Sequence, residues 1–214
     1  IGFSTTPAVN TSFATGTVSG ATMVGGLIGN RGSGATDTTF ATGTVTATGD
    51  YAGGLIGFNT GAVKKSYAKP GNVSGANRVG GLVGYNQGTV ETSYALRNVT
   101  GTNMVGGLVG QSASTSFGVR DCYAKGAVTG SDKVGGLIGR NEGGSNITTC
   151  YASGTLVYTG AGSIGSLVGD NQGGSNANNY WNTSTTAYAG IGTGFATGAT
   201  GLTAVQMKQL ASFA

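Results

Sequence analysis

The 214-residue chain has no histidine, two prolines, two cysteines and only 8% charged residues. Without histidine it lacks the commonest general base and metal-ligating side chain near neutral pH. Scarce proline, with no Gly-X-Y period among its 44 glycines, excludes collagen. Low charge combined with 38% hydrophobic residues argues against disorder, which needs high net charge or very few apolar residues. The net charge of +4 is scattered, with no basic run longer than Lys64-Lys65. No basic stripe for nucleic acid results, and no nucleic-acid partner is expected. No stretch approaches the ~20 apolar residues of a membrane span, so no membrane insertion is expected. No signal peptide is visible, and Ile1 reads as the start of a processed or excised fragment.

What is present is a repeat. The aromatic of "FATG" or "YAKG" falls at Phe13, Phe40, Tyr67, Tyr94, Tyr123, Tyr151 and Tyr180, at intervals of 27 to 29 residues. Each unit has a valine-led segment ending in the aromatic, a short "x-Val-Ser/Thr-Gly" segment, a glycine-rich "Val-Gly-Gly-Leu-Val-Gly" and an Asn/Gly turn. Such β-branched and aromatic runs bounded by Gly and Asn are short strands. Three of them in so short a circuit predict one coil of a β-helix; a propeller blade takes about 40 residues and four strands.

Stacking coils turns the repeat into columns. Leu27, Leu55, Leu82, Leu108, Leu137 and Leu167 form one, with Ile28, Ile56, Val83, Val109, Ile138 and Val168 beside it. Val18, Val45, Val73, Val99, Val128 and Leu156 form another, and the aromatics a fourth. These ladders, aromatics included, are expected to build the core, each coil templating the next. Three residues before the aromatic stand Asp37, Lys64, Glu91 and Arg120, alternating in sign, which predicts a charge ladder that fixes register. Lys65 and Asp121, two before the aromatic, conflict with simple alternation and imply a bend or bulge there.

Candidate chemistry is sparse. The "GGxxG" of the glycine motif lacks the following helix and the Lys-Ser/Thr of a phosphate loop. Cys122 and Cys150 occupy equivalent places in adjacent units, within reach of a disulfide; the alternative is two packed thiols. With no histidine, a catalytic thiol is disfavoured. Of seven acids, the best groove-like grouping is Asp121 with Arg120 and Lys65, and an ion-pair ladder explains these residues better. No catalytic, cofactor or metal residue is assigned. A regular column of Ser19, Thr46, Ser74, Thr100 and Thr129 raises ice binding, but its companion column of Thr17, Thr44, Asn72, Asn98 and Ala127 is irregular.

The glycine motif leaves a puzzle. As one strand, "VGGLIG" is apolar on both faces, so either the chain turns within it or something covers it. An exposed leucine stripe would be a lateral contact surface. The repeat breaks after Tyr180-Trp181-Asn182. Thr203 then caps a short helix with Leu202, Val205 or Gln206, Leu210 and Phe213 on one face, which is expected to cover the last coil. The N-terminal end lacks such a cap, leaving room for more protein or a partner.

The six "V-G-G-L-[IV]-G-x-N" segments, with "Y-A-x-G-x-V-[ST]-G" between them, resemble the GLUG repeat of large bacterial surface and secreted proteins, including filamentous-haemagglutinin-like adhesins. The tail from Tyr180 through Lys208 resembles the segment closing such arrays. Departures are "SASTSFG" at 112 and Ser166 for the second glycine. The resemblance implies an extracellular, adhesive or structural setting and supplies no catalytic residue. The expected protein is all-β: a right-handed parallel β-helix of about six coils over residues 1–178, capped by 179–214. It reads as a structural or adhesive module whose partner is a host or neighbour-cell surface, a matrix component or copies of itself. The alternatives are an extracellular-filament subunit, a carbohydrate-binding or carbohydrate-cleaving β-helix, and an ice binder.

Overall fold

The computed structural model describes residues 1–5, 7–115 and 118–210. Its strands are two to four residues long, too short to stand alone, and each is completed by the coils before and after it. The stretch 77–100 shows one full circuit: Asn77–Gly80, Val83–Asn86, Thr89–Glu91, Tyr94–Ala95 and Asn98–Thr100. A circuit therefore has five strands rather than three. These stack into five parallel sheets, here named E, A, B, C and D in that order, of six, eight, seven, eight and six strands. Register follows the repeat: Val83 pairs with Ile56 on one side and Val109 on the other. The solenoid has about seven turns of about 27 residues, one more than expected. The tail adds an eighth strand to two sheets that already have seven: Ile191–Gly194 joins sheet A and Ala199–Leu202 joins sheet C.

The glycine motif is not one strand. Ala52–Gly53 lies in sheet E and Ile56–Asn59 in sheet A, with the chain turning at Gly54-Leu55. A Cβ on Gly53 would fall on the Ile56 carbonyl oxygen and 2.7 Å from Gly84 N, so the turn has no room for a side chain. The next glycine sets a second constraint. A Cβ on Gly81 would come 2.9 Å from the Cβ of Ala95, across the coil. The cross-section is pinched there, and the core divides in two. The larger lobe holds the Leu and Ile/Val columns with Val63, Val90, Val119 and Ile147. The smaller holds Val45, Val73, Val99 and Val128 against Ala52, Val79, Val105 and Val134. Every leucine of the column is buried, so the predicted alternative of an exposed leucine stripe is overturned.

The pinch also reverses one expectation. The aromatic column points outward: Phe13 is 63% exposed and the other rings are half-buried. The inward neighbours are Ser66 and Ala68 around Tyr67, and Ser93 and Ala95 around Tyr94. Against the waist glycines only the alanines at 41, 68, 95, 124 and 152 fit, so the ring beside each faces solvent, and only in the last coil does a ring, Trp181, take the alanine's register. The parity conflict at Lys65 and Asp121 resolves as a corner. Thr11, Thr38, Lys65, Thr92, Asp121, Thr149 and Asn178 all have left-handed backbone (φ 46° to 55°) between sheets B and C. A second left-handed column, Met23, Tyr51, Arg78, Met104 and Lys133, precedes the glycine motif.

The expected helix forms at Ala204–Leu210. Gln206 N–H donates to Thr203 Oγ1 at 3.3 Å, and Thr203 N–H donates to Gln206 Oε1 at 2.9 Å, a reciprocal capping box. Among the described helix side chains none belongs to either lobe of the core, and Val205 is 68% exposed. Closure falls to Ile191, packed on the larger lobe, and to the Trp181 ring, which lies against Gly190 and Gly201. Phe213 of the predicted apolar face lies outside the described residues, as do Ser116 and Phe117 of "SASTSFG".

Candidate functional site

The predicted ladders are in register. Phe13, Phe40, Tyr67, Tyr94, Tyr123 and Tyr151 stack with centroids 4.8 to 5.1 Å apart and planes within 7° of parallel. Lys69 and Lys125 lie over rings of this stack, 4.9 Å from Tyr67 and 5.3 Å from Tyr123. Burial pushes the Tyr123 hydroxyl up to about 12, helped by the neighbouring Tyr151 and Tyr94. In the charge ladder Glu91 sits between Lys64 at 3.7 Å and Arg120 at 2.7 Å. Burial raises the Glu91 carboxyl, but hydrogen bonding and charge from Arg120, then Lys64, outweigh it and leave the group below its ordinary value. Asp37 pairs with Lys64 in strand register and accepts a hydrogen bond from Thr38 Oγ1 at 2.8 Å.

Cys122 and Cys150 occupy one column and are free, buried thiols. The second of the two expected arrangements is thus the one in the structure. The column explains them. Ser66 Oγ donates to Lys64 O and Ser93 Oγ to Glu91 O, both at 2.7 Å. Cys122 Sγ donates to Arg120 O at 3.0 Å and Cys150 Sγ to Thr148 O at 3.1 Å, the same bond two residues back. The thiols take the hydroxyl's place at the corner. Burial, with Cys150 adjacent, drives the Cys122 thiol well above its ordinary range, away from nucleophilic thiolate.

The sequence reading missed two buried polar features. The residue three after the Ile/Val of the glycine motif reads as a turn residue where it is asparagine, yet Asn59, Asn86, Asn141 and Asn171 are buried in one column, with Arg31 and Ser112 in their place in the other two coils. Asn59 Nδ2 donates to Asn86 Oδ1 at 2.7 Å, and Asn141 Nδ2 to Asn171 Oδ1 at 2.9 Å, while each also holds a turn carbonyl. Arg31 and Arg97 are fully buried, with guanidinium groups bonded to main-chain carbonyls rather than to acids. Burial pulls Arg97 down to about 10.

The acids are dispersed. Asp121 is exposed and Arg120 is engaged with Glu91, so the predicted Asp121–Arg120–Lys65 grouping forms no groove. Among the described residues no three His, Cys, Asp or Glu side chains gather as a metal site. Two open hollows lie at the ends of the stack, about 530 Å³ beside Ile1, Phe3, Met23 and Val24, and about 240 Å³ beside Trp181 and Ile191.

One outward face differs from all the ladders. The residue just before the glycine motif and the residue two after its Ile/Val come side by side, from opposite ends of the turn. Tyr51 meets Phe58 edge-to-face at 5.8 Å. Arg78 lies 5.6 Å from the Tyr85 ring, and Asn30 Nδ2 donates to Met23 Sδ at 3.6 Å. In register these places read Asn30, Phe58, Tyr85, Gln111, Arg140, Asp170 and Thr193 along sheet A. The apolar core columns repeat one or two residue types; this stripe changes at every coil, and within it Gln111 and Asp170 are buried. It is also wired together. Arg78 bridges Asp50 at 3.1 Å and the Gln111 side chain, Gln111 donates to Glu142, and Arg140 links Glu142 at 3.0 Å to Asp170 at 3.4 Å.

Comparison with known families is decisive for the repeat. Residues 75–100, 101–129 and 131–157 each match the model of the GLUG motif. The chain carries GLUG repeats. Each match spans one circuit of the solenoid, running through sheets E, A, B, C and D, so the GLUG unit here is a coil. The GLUG motif occurs in surface and secreted adhesin-like proteins. Neither the curated proteins nor the solved structures compared with the chain gave a match. Among the described residues no helix is long and apolar enough to cross a membrane.

Proposed function

We propose that this GLUG solenoid is a non-catalytic structural and adhesive module of an extracellular bacterial surface protein, acting as a stiff rod that presents a face for attachment to a cell or matrix component. One observation carries the reading: the core columns keep their residue type from coil to coil, while the sheet A stripe changes at every coil and, unlike the alternating charge ladder of sheet B, mixes aromatic, amide and charged side chains. A surface that varies coil by coil on an invariant scaffold is suited to recognition, since its changes leave the core untouched. The chemistry agrees. The two carboxyls with displaced pKa, Glu91 and Asp132, both move down, opposite to what a general acid needs. Cys122 is a buried thiol rather than an activated nucleophile. An extracellular setting is supported by the occurrence of the GLUG motif in surface and secreted adhesin-like proteins.

The test is attachment. Beads coated with the purified chain should bind cells or extracellular matrix preparations, and substitutions along the stripe at Phe58, Tyr85 and Arg140 should abolish binding while a substitution at the half-buried ladder residue Tyr94 does not. Equal attachment by all variants would refute the stripe as the adhesive face.

A further inference from the structure

The stripe has two halves, and its aromatic half points to a ligand class. Tyr51, Phe58 and Tyr85 are half-buried and cluster within 5.2 to 5.8 Å of one another. Their geometry is unlike that of the ladder. Parallel stacking consumes both faces of every ladder ring between its ends and leaves only ring edges outside. In the cluster Phe58 meets Tyr51 at 85° and Tyr85 at 65°, so its faces are not closed off by parallel stacking, while the Arg78 guanidinium lies over the rings of Tyr51 and Tyr85 at 5.1 and 5.6 Å. Arg78 is held by Asp50 at 3.1 Å, so its guanidinium is fixed in place beside the rings. Gln111, next in register with Tyr85, is buried with its side chain held between Arg78 and Glu142, so Arg140 is the next half-buried polar group along the stripe.

We propose that this cluster is a binding subsite for a neutral oligosaccharide chain lying along the solenoid axis. A sugar ring is apolar on its C–H faces and polar around its hydroxyl rim. Aromatic faces take the first, and planar amide, guanidinium and carboxylate groups take the second through paired hydrogen bonds. The charge balance selects a neutral polymer. The stripe carries Asp50, Asp132, Glu142 and Asp170 against Arg78, Lys133 and Arg140, four anions to three cations, each in an ion pair. That balance attracts neither a polyanion nor a polycation. The coil repeat places polar groups at successive steps beyond the rings, matching a ligand that is itself a repeat. The proposal rests on the stripe being the attachment face and names what it attaches to.

Calorimetry and NMR titration of the whole chain with cellohexaose, xylohexaose, chitohexaose and maltohexaose, each to millimolar concentration, test it. At least one should bind, shifting resonances of Tyr51, Phe58 and Tyr85. Tyr51→Ala and Tyr85→Ala should each weaken that binding about tenfold or more, the loss expected for a recognition anchor. Tyr94→Ala in the ladder should bind as the parent does. Thermal melts of all three variants separate lost binding from lost fold, and if either cluster variant unfolds, the resonance shifts of the unsubstituted chain still locate the ligand. Absence of binding to all four sugars, shifts that avoid the cluster, or binding only to a sulfated glycan at low salt would each overturn the proposal. If stripe substitutions abolish cell attachment while no neutral sugar binds, the adhesive reading survives and the glycan reading falls.

Discussion

Arg97 Nη2 donates to the carbonyl oxygen of Ala41 at 2.6 Å, reaching past an entire intervening coil. Nη1 bonds to Gly43 O in the same distant coil. The intervening coil explains how a charged side chain came to lie in the interior. In four coils the residue three after the aromatic is glycine, at 16, 43, 126 and 154, and it stacks so tightly that a Cβ on Gly43 would land on Gly16 O and one on Gly154 on Gly126 O. Between Tyr67 and Val73 the chain carries one residue more than between Phe40 and Val45, through Pro70-Gly71, and Gly71 takes φ 109°. That bulge opens the space into which Arg97 extends. Arg97→Ala should destabilise the chain by about 2–4 kcal/mol, through the cavity and the stranded carbonyl groups. Arg97→Gly combined with deletion of Pro70 should regularise both coils and cost less than the sum of the two changes, with a coupling of about 1 kcal/mol or more. Urea unfolding of the parent, both single changes and the pair measures it; strict additivity would show the bulge and the arginine to be unrelated.

This pairing marks the limit of what the repeat made legible. Columns such as Leu27 to Leu167 and Val18 to Leu156 follow from period alone, because parallel stacking puts equivalent residues side by side. The facing of a column does not follow. Tyr94 points outward because Gly81 and Ala95 approach across the coil, a contact between segments that no local pattern announces. Threonine at left-handed corners such as Thr92 runs against its own backbone preference and is imposed by the coil-to-coil bond from its N–H to Arg120 O. The stripe escaped detection for a different reason: Tyr51 and Phe58 are brought together only because the motif between them turns, and a motif read as one strand keeps them apart.

The buried asparagines carry more stability than their position in a turn suggests. Asn141 Nδ2 lies within hydrogen-bond distance of Ser145 O, Gly173 O and Asn171 Oδ1, at 2.8 to 2.9 Å. Asn141→Ala should cost about 2–4 kcal/mol, since it leaves buried acceptors without a donor. Asn141→Asp should be worse, because it sets a carboxylate against carbonyl oxygens with no donor to offer. Thermal unfolding of both variants gives the order; an aspartate variant as stable as the parent would mean that the site is open to water.

Glu91 offers a test with a defined pH window. Its carboxyl is held below the ordinary value of 4.5, so its contribution is fully present above that value and fades as pH falls through the lower folded-state value. Glu91→Gln should cost about 0–1 kcal/mol near neutrality, in keeping with partly exposed pairs. The gap from the parent should close in acid. Glu91→Lys, placing a third cation between Lys64 and Arg120, should cost more, and added salt should recover part of the loss. Melting temperatures of the three chains from about pH 3 to about pH 7, across the carboxylate range, and at low and high salt decide the matter. A gap independent of both pH and salt would place the effect in packing rather than charge.

The tyrosine ladder reverses that sign at the alkaline end. The Tyr123 hydroxyl is pushed up from 10.0 to about 12 by burial and then by its stacked neighbours Tyr151 and Tyr94, and burial raises Tyr151 as well. A raised folded-state pKa means the folded chain holds a proton that the unfolded chain has released. The stabilisation is therefore complete below the ordinary phenol value and is lost as pH rises from there toward the folded value. Phenolate absorbance should show part of the tyrosine ionisation delayed in the folded chain and restored to the ordinary range in denaturant. Tyr123→Phe keeps the ring at 4.8 to 4.9 Å from its neighbours while removing the group that titrates. That variant should be as stable as the parent near neutrality and lose less stability between pH 10 and about 12. Ordinary ionisation of every tyrosine in the folded chain would show that water reaches the hydroxyls freely along the stack, and the ladder would then stabilise the fold through ring contact alone.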